Sequence, residues 1–138
     1  MSRGMVVALV GFCACSGDGA KDSGDTGSPS GPSFTRIKAE ILTPSCALAG
    51  CHAAGGAVNN GMELVEGNEH PALVDAESLF KTGAILVIPN DSDGSYVVQK
   101  LEDQDDIVGF FMPYGPFPLE AEYIQLMRDW IDAGALDN

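Results

Sequence analysis

The run Cys46-Ala47-Leu48-Ala49-Gly50-Cys51-His52 holds the residues of this chain whose types and spacing can do chemistry: two cysteines with four residues between them and a histidine directly after the second. Two thiols can each add to one vinyl group of a haem while the neighbouring imidazole meets the iron, which is what covalent attachment of a c-type haem requires. The usual attachment signature has two residues between the cysteines, so this is a widened form. Two other uses of the same side chains compete with it. A Cys46–Cys51 disulfide would staple a haem-free exported binding or structural module, provided the turn supplies the right Cβ geometry. It gives His52 no role. A zinc site built from Cys46, Cys51, His52 and His70 ranks last, because adjacent Cys51 and His52 have difficulty reaching one tetrahedral centre.

The second half of the chain carries Val87-Ile88-Pro89-Asn90-Asp91-Ser92-Asp93-Gly94-Ser95-Tyr96, then Lys100-Leu101, then Phe111-Met112-Pro113-Tyr114-Gly115. After Pro118-Leu119 it ends in Trp130-Ile131-Asp132-Ala133-Gly134-Ala135 and three further residues. An attachment run, a Met-Pro element and a last helix with a Trp-Ile-x-x-Gly ending follow in that order. Over residues 34–138 this combination resembles the small class I type monohaem cytochrome c domains of bacterial lipoproteins, some of which use longer Cys-to-Cys spacings. The resemblance implies an all-α or mainly α domain around one covalent haem c, with the C-terminal helix crossing the first beside it. It implies Cys46 and Cys51 as the haem thioethers, His52 as the proximal iron ligand and Met112 as the distal one.

With both axial positions taken, the iron would exchange electrons and bind no substrate. The expected protein is therefore an electron carrier and not an enzyme, although such a domain can serve a larger oxidoreductase. His/Met ligation gives a higher potential than His/His, while surrounding carboxylates lower it by favouring Fe(III). Met112 is one of five methionines, and a methionine in a core ordinarily fills gaps. Its place in Phe-Met-Pro-Tyr-Gly singles it out, and Pro113 stiffens the segment behind it. His70 is the other histidine; an exposed histidine at a helix start is its commoner role, and a second iron ligand the alternative.

Composition sets the outer limits. A chain of 138 residues predicts one domain, and with a non-globular first third about 105 residues remain for a core. A domain that small is marginal on side chains alone, and a buried haem would add a large apolar body. Net charge is −13 with only seven basic residues, so nothing neutralises a run of phosphates and nucleic acid is excluded as a partner. The acidic surface favours solubility and steering toward redox partner proteins with a basic docking surface.

Residues 1–15 read as an export signal, with Arg3 before the short apolar run Met5–Phe12. That run is too short to span a bilayer. The ending Cys13-Ala14-Cys15 resembles a lipoprotein signal, with Cys15 the candidate lipidated residue because small Ala14 precedes it, while bulky Phe12 precedes Cys13. Both this reading and an ordinary cleaved signal export the chain, to the periplasm or cell surface; acylation would anchor it to a membrane without a spanning helix. Residues 16–33 are a Gly, Ser, Asp, Thr and Pro linker, expected to act as a flexible tether with an r.m.s. reach of roughly 25 Å.

Within 34–138, apolar Phe34, Ile37 and Ile41 predict a short amphipathic helix, interrupted or restarted at Pro44. Residues 53–60 are small and Gly-rich, suited to close approach of backbone to a flat cofactor, or simply a loop. Pro71 is placed as the first residue of a helix. Leu79 to Ile88 reads as a brief extended segment stopped by Pro89-Asn90, and Ser92 or Asp93 as the cap of a helix carrying Tyr96, Val97 and Leu101. Glu102 to Asp106 is a solvated acidic break. The last helix, from Glu120, places Ile124, Met127 and Ile131 along one face with Tyr123 and Trp130 beside it, and has Gly134 as its terminator.

Overall fold

The computed structural model describes residues 31–56 and 61–138. The expected export signal, the candidate lipidated Cys15 and all of the linker up to residue 30 lie outside the described residues, as do positions 57–60. The described residues form helices joined by long connections and contain no strand. The architecture is mainly α. No helix among them is long and apolar enough to cross a membrane.

The first helix, α1 (Phe34–Ile37), begins where Ser33 takes an extended conformation and its hydroxyl accepts the Arg36 N–H. It does not stop at Pro44. The chain continues through Lys38–Cys46 as a π-helical segment, with the Ala47 N–H reaching the Leu42 carbonyl five residues back at 2.7 Å. In an α-helix the Pro44 ring would strike the Glu40 carbonyl and leave it without a donor. Widening the turn keeps the chain helical, so Pro44 loosens the element without ending it, and such wide turns occur frequently at functional sites.

Helix α2 (Glu69–Leu73) begins after Asn68, whose side chain makes no capping bond, and holds Pro71 in mid-element, not at its first position. Within that first turn a missing N–H costs nothing. The stretch read as extended, Leu79 to Ile88, folds back on residues 74–78 through isolated bridges, Val74 to Val87 and Glu77 to Ile85, without forming a strand. Helix α3 (Tyr96–Leu101) is capped at Ser95 and not by a side chain of Ser92 or Asp93. The Ser95 hydroxyl donates to Asp91 O and accepts the Ile88 N–H, while Ser92 is taken by Asp132 of the last helix through both its N–H and its hydroxyl, at 2.9 and 3.0 Å.

Helix α4 (Ala121–Asp132) buries Leu126, Met127, Trp130 and Ile131. It ends in a Schellman arrangement: Ala135 N–H bonds Trp130 O and Gly134 N–H bonds Ile131 O, with Gly134 at φ +101°. The contact between α1 and α4 lies in the core. Phe34 and Trp130 meet with ring centroids 5.3 Å apart, and His70 stands edge-on to Phe34 at 5.0 Å. The chain end closes over this cluster, Asn138 accepting the N–H groups of Phe34 and Thr35. Trp130 Nε1 donates to Leu136 O, and His70 Nε2 bonds Ala135 O at 2.7 Å.

Arg128 ties α4 to both ends of α3. Its guanidinium makes two parallel bonds to Glu102, at 2.8 and 2.9 Å, and a third at 2.6 Å to Asp93. The hydrogen bonds from Arg128 hold the Glu102 carboxyl below the ordinary glutamate value. A carboxyl whose folded value is depressed contributes stability above its unfolded value of 4.5 and loses that contribution as pH falls through the folded value. Arg128→Met should therefore lower unfolding stability by about 1 kcal/mol at pH 7. The gap between variant and wild type should close as pH drops below the glutamate range, as read from urea melts across pH 3 to 7. A constant gap would mean that the ion pair is not its source.

Candidate functional site

The two cysteines and His52 are presented by a turn that the wide helix leads into. Cys46 closes the π-helical segment, and its carbonyl accepts the His52 N–H at 3.1 Å. Leu48 O takes the N–H groups of Cys51 and Ala53. The four residues between the cysteines thus form a closed loop that returns His52 to the end of the helix. Gly56 backs this loop so closely that any Cβ there would collide with the Cys51 carbonyl. At Gly56 the close approach is of backbone to backbone, and positions 57–60 of the expected loop lie outside the described residues.

His52 is half-buried, and its Nδ1 lies 3.2 Å from the Met62 carbonyl. A carbonyl can only accept, so Nδ1 carries a proton, and in the neutral ring the lone pair is on Nε2. This is how metal-ligating histidines are commonly fixed in tautomer and orientation. Leu64 N–H to His52 O, at 2.7 Å, holds the backbone in the same place.

Cys46, Cys51 and His52 line a cleft of about 950 Å³. Met112, on the connection between α3 and α4, lines the same cleft, as do the buried side chains of Leu73, Leu101 and Met127. The lining is predominantly apolar. Of the eight large hydrophobic side chains exposed among the described residues, six line this cleft: Leu48, Leu79, Phe80, Val108, Phe110 and Tyr114. Phe110 and Tyr114 pack on each other at 4.6 Å. Concentrating exposed apolar area in one concavity marks a binding groove, whereas single exposed hydrophobics scattered over a surface need no explanation.

All four expected haem-binding residues, Cys46, Cys51, His52 and Met112, therefore share one cavity. His70 does not join them; its ring is committed to Phe34, Trp130 and the Ala135 carbonyl. The zinc arrangement is not assembled either, since among the described residues no three His, Cys, Asp or Glu side chains converge as a metal-binding group. The Cys46 and Cys51 sulfurs are unlinked. Burial, and then the charge of Cys51, pushes the Cys46 thiol up to about 12.

Sequence reasoning missed several residues of this site. Met62 contributes a backbone carbonyl, which no side-chain pattern reveals. Tyr96 and Lys100 line the cleft from α3, and Lys100 is shifted below the ordinary lysine value by burial. The apolar pair Leu79-Phe80 between polar neighbours and the apolar run Ile107 to Met112 were the signal for the groove's apolar rim. No family model, curated protein or solved structure matches the chain.

A thiol raised to about 12 is protonated at neutral pH, and the thiolate is the reactive form. In the haem-free folded protein at pH 8, alkylation of Cys46 by iodoacetamide should be at least about 100-fold slower than in urea, because a rise of one in a thiol's pKa costs about tenfold in thiolate. Peptide mass mapping over time measures this. Equal rates in both conditions would place the Cys46 sulfur in water.

Proposed function

We propose that the chain is an exported c-type cytochrome that carries single electrons on one covalently held haem c. The observation that carries this reading is the convergence of Cys46, Cys51, His52 and Met112 on one open apolar cleft of about 950 Å³. The residues present fit the group. The cleft is at the upper end of the range for small-molecule and cofactor sites, its walls are apolar, and its donors are the two thiols, imidazole and thioether that a haem c takes.

In this reading Cys46 and Cys51 hold the haem as thioethers, His52 Nε2 is the proximal ligand and the Met112 sulfur the distal one. The bound haem supplies a one-electron Fe(III)/Fe(II) couple. The Met62 carbonyl keeps the His52 ring from turning and makes its free nitrogen a better donor. Met112, a soft donor, raises the potential relative to a second histidine. Apolar residues of the lining exclude water, and the exposed carboxylates of the 102–106 run offset part of the methionine effect. With His52 and Met112 both available to hold the iron, the group would supply electron exchange, and the reading is of a carrier and not of an enzyme.

An export signal, a Cys15 anchor and the linker after it would put the domain in the periplasm or at the cell surface, held to a membrane within reach of redox partner proteins. The net charge of −13 steers it toward basic surfaces on those partners.

The test is a reduced-minus-oxidised absorption spectrum of the protein produced in cells with c-type cytochrome maturation machinery. A sharp reduced α-band is expected. His52→Ala should lose normal axial ligation, and Met112→Ala should keep the covalent haem but lower the potential or open the iron. A colourless folded protein would defeat the reading, and an unchanged spectrum and potential in Met112→Ala would remove Met112 from it.

A further inference from the structure

The segment that carries Met112 has no helix of its own. Between Leu101 at the end of α3 and Ala121 at the start of α4 the chain runs through turns and irregular structure. Connections that long are uncommon in small domains unless they are functional or specifically held. A soft side chain on such a segment would sample many positions if nothing fixed it.

Lys100 fixes it from two directions. Its Nζ donates to the Val108 carbonyl at 2.9 Å and to the Phe110 carbonyl as well. Its backbone carbonyl accepts the Met112 N–H at 2.8 Å. One residue therefore grips positions 108, 110 and 112, alternate positions along the strip that lines the cleft. Tyr96, one turn earlier on α3, adds a fourth hold by accepting the Val108 N–H on its hydroxyl at 2.8 Å, and the Lys100 ammonium lies 5.9 Å from the centroid of the same ring.

The choice of partners is informative. The chain has 20 acidic residues against seven basic ones, and Glu102, Asp103, Asp105 and Asp106 follow Lys100 closely. Yet its ammonium bonds two backbone carbonyls and, among the described residues, forms no salt bridge, Asp103 acting on it only through its charge, whereas Lys81 pairs with Asp106 and Arg128 with Glu102. Hydrogen bonds from a charged donor are roughly twice as strong as neutral ones. Directing them at the main chain fixes the path of the backbone, which a flexible surface ion pair does not.

We propose that Lys100 is the positioning residue for the distal iron ligand: its ammonium and its carbonyl together hold the 108–112 strip so that Met112 stays on the cleft wall before any haem is present. This rests on the reading of Met112 as the distal ligand. The clamp itself is a property of the polypeptide and can be measured without haem.

Two measurements separate the clamp from that reading. In the haem-free protein, amide exchange at Val108 and Met112 should accelerate about tenfold or more in Lys100→Met, as follows from losing a charge-assisted bond, while exchange in α4 stays unchanged. In the matured protein, Lys100→Met should still attach haem through Cys46 and Cys51. It should lose the ferric methionine–iron charge-transfer band and shift to lower potential, and Lys100→Arg, which keeps a charged multi-donor head, should restore most of both. A purely structural role would lower the melting temperature and leave band and potential in place, which would overturn the proposal. Unchanged exchange at Val108 and Met112 would overturn it whether or not haem is bound; accelerated exchange in a protein that takes up no haem would uphold the clamp and defeat the haem reading instead. If Lys100→Met does not fold, Lys100→Gln, with one amide donor for two carbonyls, is read in the same way.

Discussion

The contact of Phe34 with Trp130 holds the two ends of the domain together, and most of the structure is positioned by it. Phe34 opens α1 and Trp130 lies near the end of α4, so their packing at 5.3 Å joins the first and last helices. His70 closes one side of this cluster and Asn138 ties the chain end to the first residues of α1. With α1 fixed, the wide segment Lys38–Cys46 that continues from it can run only along the core, burying Ile41 and Leu42 and ending with Cys46 at the edge of the cleft. The face of α4 that supplies Trp130 also supplies Met127 to the cleft lining. One contact thus sets both the closure of the domain and the position of its cavity.

What the sequence made legible follows from how local each signal was. The run Cys46 to His52 is short enough that its members stay together however the helix before it is built, and the periodicity of Ile124, Met127 and Ile131 with Gly134 beyond them specified α4 to within one residue at its start and two at its end. Pro44 was harder to read because a proline can end a helix or widen it. Here the buried face formed by Ile37, Ile41 and Leu42 favours continuation over a break. Ser92 and Asp93 have the side chains of helix caps, but tertiary partners on α4, Asp132 and Arg128, take them instead. Local preference gave way to packing in each of these cases. The holds on His52 and Met112 were illegible for a different reason: they end on the carbonyls of Met62, Val108 and Phe110, and every residue type has a carbonyl.

The site combines rigid and irregular parts. His52 sits on a loop closed by its own backbone bonds and keyed by a carbonyl, so its free nitrogen has one orientation. Met112 sits on an irregular connection whose order comes from α3. This division suits the proposed role, since a donor on a long connection can be held firmly only by partners elsewhere. The apolar area left open in the cleft is a cost in a domain of this size, where little core is available to offset it. A flat apolar group seated there would complete the core as well as supply the redox couple, which links stability and function in the proposed reading. In that reading the acidic surface would serve the approach of a partner.

The most direct measurement is the intact mass of the denatured protein after production with c-type maturation, together with a count of its free thiols. The account predicts the mass of the polypeptide plus one haem, with no free thiol on Cys46 or Cys51. A mass equal to that of the bare polypeptide, or lower by the hydrogens lost to a Cys46–Cys51 disulfide, would contradict it.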